Sequence, residues 1–543
     1  MERYDCDVLV VGGGAAGSRA AYEAKRLHPG LKVLMAVAGA YGSSGSTNLI
    51  ASESLGINAP FDFMNDGDHP DVYYQDMIET GGGLSDPRLC RIIADESCDR
   101  LRELMDLGLK FDEENGHPIQ RKLSGCTKAR SLTCGGSTGR EMVGVLKREI
   151  SRLGVEVMEN VRVFDLIQDD RGRVCGVTAL FNNVALVIAA KAVILASGGA
   201  GRIFRHHVNP PSLEGDGWCM AYRAGARLIN MEFFQIGPAV LKPHMKFIIH
   251  SHMWRLRPRL TNGLGEEFLG GYCPSGVSPD GVLSLKAMSY PFSVRTASMF
   301  LDIAVFKEVM SGRGTPSGGV FFDVTHVGRK TLEERAPITY RMIKQAGADL
   351  SKEKIEFGLV VQNFNGGVSI DSDGFTGVEG LYAAGEVTGA VHGADRPGGN
   401  NLIDTQVFGF RAGRAAAEHA TEAGPNVTRM NTPEHSEMER SSEEDVAFIK
   451  GSAALYSSNL TIVRTKKGLE EILQFVDFYR GHRNLFVRNR LLLGEILATA
   501  ALTREESRGT HYREDFPRSD PAWGKRVVIS RGQQGLPVAE VLG

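Results

Sequence analysis

The chain has little that could hold a metal. Its eight cysteines, Cys6, Cys90, Cys98, Cys126, Cys134, Cys175, Cys219 and Cys273, include no CxxC pair and no Cys/His cluster with zinc or iron–sulfur spacing. They read as reduced thiols of a cytosolic protein. No apolar run reaches the roughly 18–20 residues that span a bilayer. Met1–Asp7 is short and charged, unlike a secretory leader. The expectation is a cytoplasmic chain without direct membrane insertion, reaching a membrane only through a partner. Net charge is only −3, which argues against a nucleic-acid surface. No repeat is visible.

Glycine, by contrast, is abundant, with 65 residues, many in clusters. Such clusters suit backbones that approach a ligand closely. The apolar run Val8-Leu9-Val10-Val11 reads as a buried parallel strand, and Ser18–Leu27 as the Ala-rich helix after it. Between them Gly12, Gly14 and Gly17 form GxGxxG. The first permits a tight turn, the second lets a pyrophosphate reach the backbone, and the third lets helix and strand pack closely. A second strand is expected at Leu31–Met35. Two further strands end in glycine clusters, Ala192–Leu195 before Ala196-Ser197-Gly198-Gly199, and Leu381–Ala384 before Gly385-Glu386. Three such ends can meet on one ligand at the carboxyl edge of one sheet. The small hydroxylic loop Ser43-Ser44-Gly45-Ser46-Thr47 follows the second strand and can donate to phosphate or to a ring. One expected group is missing: no Asp or Glu lies between Gly30 and Ala51, where an acid normally holds the adenosine ribose.

The later motifs carry a more specific likeness. Gly215-Asp216-Gly217, Ala224-Gly225-Ala226 and Met231-Glu232-Phe233-Phe234-Gln235 occur in that order. They are followed by Leu381–Val387, His392-Gly393-Ala394-Asp395-Arg396, Gly398-Gly399-Asn400, Val407-Phe408-Gly409 and Glu506-Ser507-Arg508-Gly509 with His511 and Arg513. Together they resemble the succinate dehydrogenase/fumarate reductase flavoprotein family, whose members include L-aspartate oxidase and adenylylsulfate reductase.

The resemblance implies an α/β fold: a discontinuous Rossmann-type FAD-binding domain (1–238 plus 355–425), an inserted α+β capping domain (239–354), a C-terminal helical domain (440–515) and a tail (516–543). Residues 424–445 read as a linker. The tail, punctuated by Gly and Pro, is expected to wrap over another surface. FAD is expected at Gly12, Gly14, Ala15, Ala16, Gly17, Ser44, Gly45, Ser46, Thr47, Ala196, Ser197, Gly198, Gly199, Asp216, Glu386, Asn401 and Leu402. Some relatives attach the flavin to a His in the Ser-Gly-Ser-Thr region. None lies here between His28 and His69, so the FAD is expected to be noncovalent.

Arg396 matches the family's substrate-clamping Arg, and its planar fork suits a carboxylate. Other family features are absent. Gly237-Pro238-Ala239 stands where relatives carry His-Pro-Thr, and Gln362 stands where they carry a second His. The best candidate for the proton-shuttling Arg is Arg295, although counting from Ser311–Gly314 points to Ser298. His244, His250 and His252 in the insertion offer replacements, and His392 joins Gln362, His250 and His252 as an expected substrate contact. The family's Thr-Glu pair in the lid has no counterpart in Lys242–Arg259, and a site that has lost two His and a Glu is not built for the same dicarboxylate.

The expectation is an FAD-dependent oxidoreductase. It would move hydride between flavin and a small carboxylate-bearing substrate other than succinate or fumarate, with Arg295 and Arg396 catalytic. Electrons would pass to or from an iron–sulfur or other redox partner subunit, with oxygen as the competing acceptor. The alternative is a flavin electron-transfer subunit of a larger iron–sulfur complex with little substrate chemistry of its own. Chemistry like that of adenylylsulfate reductase also stays open.

Overall fold

A computed structural model describes residues 2–49, 55–64, 66–182, 184–245, 247–424 and 442–543. At its centre lies a five-stranded sheet in the order Leu381–Ala383, Ala192–Leu195, Val8–Val11, Val33–Val37, Glu156–Glu159. Every neighbouring pair is parallel. Val8–Val11, Val33–Val37 and Ala192–Leu195 are buried along their whole length, as apolar strands covered on both faces must be. The three glycine-terminated strands are therefore neighbours, and their carboxyl ends form one edge. The second strand runs Val33–Val37, two residues later than its apolar pattern predicts. The helices Ala15–Leu27 and Asn400–Glu422 pack against each other through small residues. A Cβ at Gly413 would lie 2.5 Å from the carbonyl oxygen of Ala20.

The insertion has its own antiparallel sheet, ordered Phe234–Lys242, Ile355–Phe364, Val320–Asp323, Arg259–Thr261. Its first strand runs through one expected domain boundary and its second begins at the other, so the cap grows out of the flavin-binding half on a two-stranded ribbon. A separate core fills it, with Trp254 edge-on to Phe322 and Phe357.

Three helices follow, Glu443–Asn459, Lys466–Tyr479 and Leu485–Thr503. Each starts at a side chain that caps the free backbone N–H groups: Ser442 with Asp445 in a reciprocal box, Thr465, and Asn484. Most of the expected linker, 425–441, lies outside the described residues. The tail does wrap: Arg526–Arg531 and Pro537–Leu542 form a hairpin that adds to Leu228–Ile229 and Gly367–Val368, completing a four-stranded sheet.

The Glu-Ser-Arg-Gly-x-His-x-Arg element is internal. Arg504 bonds Glu232 at 2.7 Å and Glu506 at 2.9 Å, and all three side chains are fully buried. Arg464 bonds the carbonyl of Glu232 and the ring of His511. Burial and the surrounding Arg464, Arg504 and Arg513 hold His511 well below its ordinary pKa, so its ring is neutral. The element thus joins the helical domain to the segment that enters the cap. Among the described residues, no helix is long and apolar enough to cross a membrane.

Candidate active site

Two clefts open on the carboxyl edge of the parallel sheet and share a wall. The first is lined by Gly12–Ala16, Ala36–Gly39, Ser44–Thr47, Val161–Val163, Ala196–Gly198, Ser212, Leu213, Gly215–Gly217, Met220, Ala384, Glu386, Asn401, Leu402 and Thr405, together with Val11. Its floor is backbone. Gly12 has φ +117°, and a Cβ there would lie 2.2 Å from the carbonyl oxygen of Ala196 on the next strand. Only glycine leaves that edge open. The helix Ala15–Leu27 begins in the cleft, so its free N–H groups and positive end face whatever lies there. Thr47 Oγ1 accepts from the N–H of Ala15 at 3.2 Å and fixes the hydroxylic loop over that helix start.

Of the residues expected at the cofactor, Gly17 and Gly199 do not line this cleft. A Cβ at Gly17 would lie 2.0 Å from the carbonyl oxygen of Gly12, and one at Gly199 would lie 2.7 Å from Glu386 Oε1. Both glycines serve by letting neighbours pack. The other fifteen positions are on the wall.

The strand Val33–Val37 ends in Ala38 and Gly39, so no acid stands at the usual ribose position. Arg162 enters the wall instead, a residue that no motif of the sequence marks. It donates to Asp216 Oδ2 at 2.8 Å and to Glu214 Oε2 at 2.7 Å. Asp216 Oδ1 accepts from Asn489 Nδ2 at 2.8 Å, linking the cleft to the helix Leu485–Thr503. Glycines, a helix start and hydroxyl donors fit a dinucleotide diphosphate. No His is among the described residues on this wall.

The second cleft lies beneath the cap and shares Ser46, Glu386, Asn401 and Leu402 with the first. Its polar side chains include Asn209, Gln235, His250, Tyr290, Gln362, Asn363 and Arg396, and its apolar wall includes Leu49, Leu55, Val208, Phe247, Ile248 and Pro291. Arg396 Nη2 donates to Gln235 Oε1 at 2.7 Å and Nη1 to the carbonyl of Pro397 at 3.1 Å. Its buried Nε has no hydrogen-bond partner among the described residues. Burial lowers its pKa and Asp395 and Glu386 oppose the shift, but a guanidinium remains charged. It is the one Lys or Arg among the described residues lining this cleft.

Glu386, on the shared wall, accepts from the N–H of Phe364 at 3.1 Å. Burial pushes its pKa up to about 7, against the pull of that N–H and of Arg396. Burial, with help from His252, pushes His250 down to about 3, so its ring is neutral at physiological pH. Tyr290 Oη donates to Gln362 Oε1 at 3.1 Å. A Cβ at Gly237 would lie 2.4 Å from that hydroxyl, so the Tyr290 side chain occupies the space a side chain at 237 would need.

Arg396, Gln362 and His250 are brought together at this cleft, while Arg295, His252 and His392 are not on its wall. Arg295 stands behind it, with Nη2 3.2 Å from Asp395 Oδ2. Asp395 Oδ1 accepts from Gln235 Nε2 at 3.0 Å and from the N–H of Arg396 at 2.8 Å. Arg295 is thereby connected to the cleft through Asp395 and Gln235. Ser298, the other counted position, is buried with its hydroxyl against Thr296. His252 bonds Thr339 inside the cap, and His392 is buried with Nε2 3.6 Å from Asp404. His244 is exposed. No motif of the sequence marks Tyr290 or Asn363 as site residues. They lie far apart in the chain and meet only because the cap folds back over the sheet.

The family described as FAD binding domain matches residues 7–402, and that described as fumarate reductase flavoprotein C-term matches 480–540. A fumarate reductase (CoM/CoB) subunit of Methanothermobacter marburgensis is 35% identical over 561 residues, covering 98% of each chain. L-aspartate oxidase of Caulobacter vibrioides is 30% identical over 479 residues, covering 86% of each. Among solved structures, Sdh1 of Mycobacterium smegmatis superposes with a TM-score of 0.85 at 28% identity, covering all of this chain and 94% of that one. A flavin-binding match over most of the length, joined to relatives aligned almost end to end, means that this chain is an FAD-dependent oxidoreductase of the succinate dehydrogenase/fumarate reductase flavoprotein family.

Proposed function

We propose that the chain moves hydride between noncovalently held FAD and a small carboxylate-bearing substrate in the second cleft, and exchanges electrons with a partner protein. The observation that carries this reading is the shared wall of Ser46, Glu386, Asn401 and Leu402 between a glycine-floored cleft and one with a single guanidinium among its described residues. FAD, when bound, supplies two-electron chemistry at that wall. Arg396 would hold the carboxylate through Nε and its remaining N–H groups, with Gln235 and the Pro397 carbonyl fixing the plane of the fork. The cap would exclude water. Arg295 would position Arg396 through Asp395 and Gln235 rather than touch substrate.

The lack of His among the described residues of the first cleft supports noncovalent binding. Acid denaturation should release all the yellow colour; colour retained in the pellet would count against it. A partner is supported by the Methanothermobacter relative, which is named as one subunit of its enzyme. Co-purification of iron with the native protein tests this, and a lone flavoprotein making peroxide at the full catalytic rate would overturn it.

Fumarate is the competing substrate, favoured by that relative's name and end-to-end match. Against it stand a single cation and a neutral His250 among the described residues of the cleft. Reoxidation of the reduced protein by a panel of enoates decides between them. Fumarate turnover above about 1 s⁻¹, typical of enzymes, would establish the competitor.

A further inference from the structure

We infer that the second cleft selects a monocarboxylate whose far end is polar but uncharged, and that Tyr290 with Gln362 reads that end. This deepens the reading that Arg396 holds a carboxylate. Opposite charges share a desolvated cleft readily, but a second carboxylate without a second cation would be left as an uncompensated buried charge. Among the described residues that line the cleft there is no second cation, and His250 is neutral.

What the cleft offers besides Arg396 is a pair of neutral groups. Tyr290 Oη and the Gln362 amide bond each other at 3.1 Å, leaving the amide N–H groups and the phenol's lone pairs for a ligand. A hydroxyl, ketone or amide can match them. Burial raises the Tyr290 phenol well above its ordinary pKa, so it acts as a hydrogen-bonding group and not as an acid. Its place is built. The ring stands edge-on to His250, with centroids 5.6 Å apart. The Lys286 ammonium lies 5.6 Å from the ring centroid and is held by a fully buried ion pair with Asp302 at 2.6 Å. On the other side Gly237 leaves the hydroxyl its room.

The test uses the FAD-loaded full chain and reads binding from the shift in the oxidised flavin's visible spectrum. The probes are succinate, succinamate (equal in size, with one charge fewer) and butyrate. Succinamate should bind about 10-fold or more tighter than succinate, a preference worth roughly one hydrogen-bonded partner and an avoided buried charge. Tyr290→Phe, which keeps the ring, should reduce succinamate binding by about 5-fold while changing butyrate binding by less than about 2-fold. Gly237→Ala, which crowds the same hydroxyl, should act in the same direction. Succinate binding as well as or better than succinamate overturns the inference, as does a Phe variant that binds succinamate unchanged. Arg396→Lys separates the two levels. If it weakens every acid while succinate remains the best ligand, only the selectivity inference falls. If it weakens none, the carboxylate reading falls with it.

Discussion

The two clefts are built differently although they share a wall. The first is largely backbone: strand ends, a helix start and glycines at close approach. The second is largely side chains, drawn from the cap and from the flavin-binding half. A backbone cleft accepts only substitutions that leave its surface bare. A side-chain cleft can be rewritten one residue at a time. The same FAD can therefore serve different substrates, and the chemistry of the second cleft, not the fold, decides which.

The sharpest way to break this contrast is at Gly12. Gly12→Val forces a Cβ to within 2.2 Å of a backbone oxygen at φ +117°. We expect purified protein without bound flavin, read from the visible absorbance of the flavin. Full flavin content would mean that the backbone floor is not what holds the cofactor.

Arg396→Lys comes next and should touch only the second cleft. Flavin content should stay near normal while substrate affinity falls about 10- to 100-fold, since a point charge replaces a fork. Loss of flavin in this variant would show that the clefts are not separable.

A smaller effect is expected at Asn489, whose amide supports Asp216 from the helical domain. Asn489→Ala should weaken FAD binding by about 1 kcal/mol, the usual value of such a bond. Titration of apoprotein with FAD reads it. Unchanged affinity would mean that Arg162 alone is enough to hold Asp216 in place.

An effect of another kind, on the pH dependence of stability, belongs to Glu386 on the shared wall. Its pKa is raised from 4.5 to about 7, so its contribution to apoprotein stability is fully present below pH 4.5 and is lost as pH rises to 7. Glu386→Gln should flatten that part of the pH profile by a few °C in Tm. A profile identical to that of the unmodified protein would show that the carboxyl is not desolvated.

Legibility in the sequence follows the same division. Gly12, Gly14, Ala196–Gly198 and Glu386 were readable because a strand followed by glycine is a local pattern with a geometric consequence. Arg162 was not readable, because nothing local marks one residue of the strand Val161–Gln168 as facing a cleft. In the second cleft Arg396 and Gln362 stood inside recognisable motifs. Tyr290 sits in a stretch of the cap with no periodicity, and its role depends on a missing side chain far earlier in the chain, at Gly237. Arg295 was the best candidate for the shuttling Arg by resemblance while counting pointed to Ser298, and neither likeness nor counting can tell a wall residue from one standing behind Asp395. The three cap His offered by the sequence as replacements divided likewise: His250 faces the cleft, His252 faces the cap interior and His244 faces solvent.

The hairpin Arg526–Leu542 bears on how the protein is made. Leu228–Ile229 leaves the ribosome roughly three hundred residues before its partner Val528–Ile529. During synthesis its edge stays open, with only Gly367–Val368 to pair with. That sheet closes only when the last strands arrive, so a chain cut short by a few dozen codons would carry every cofactor motif and still present an unpaired β edge, the kind that chaperones guard and aggregates recruit.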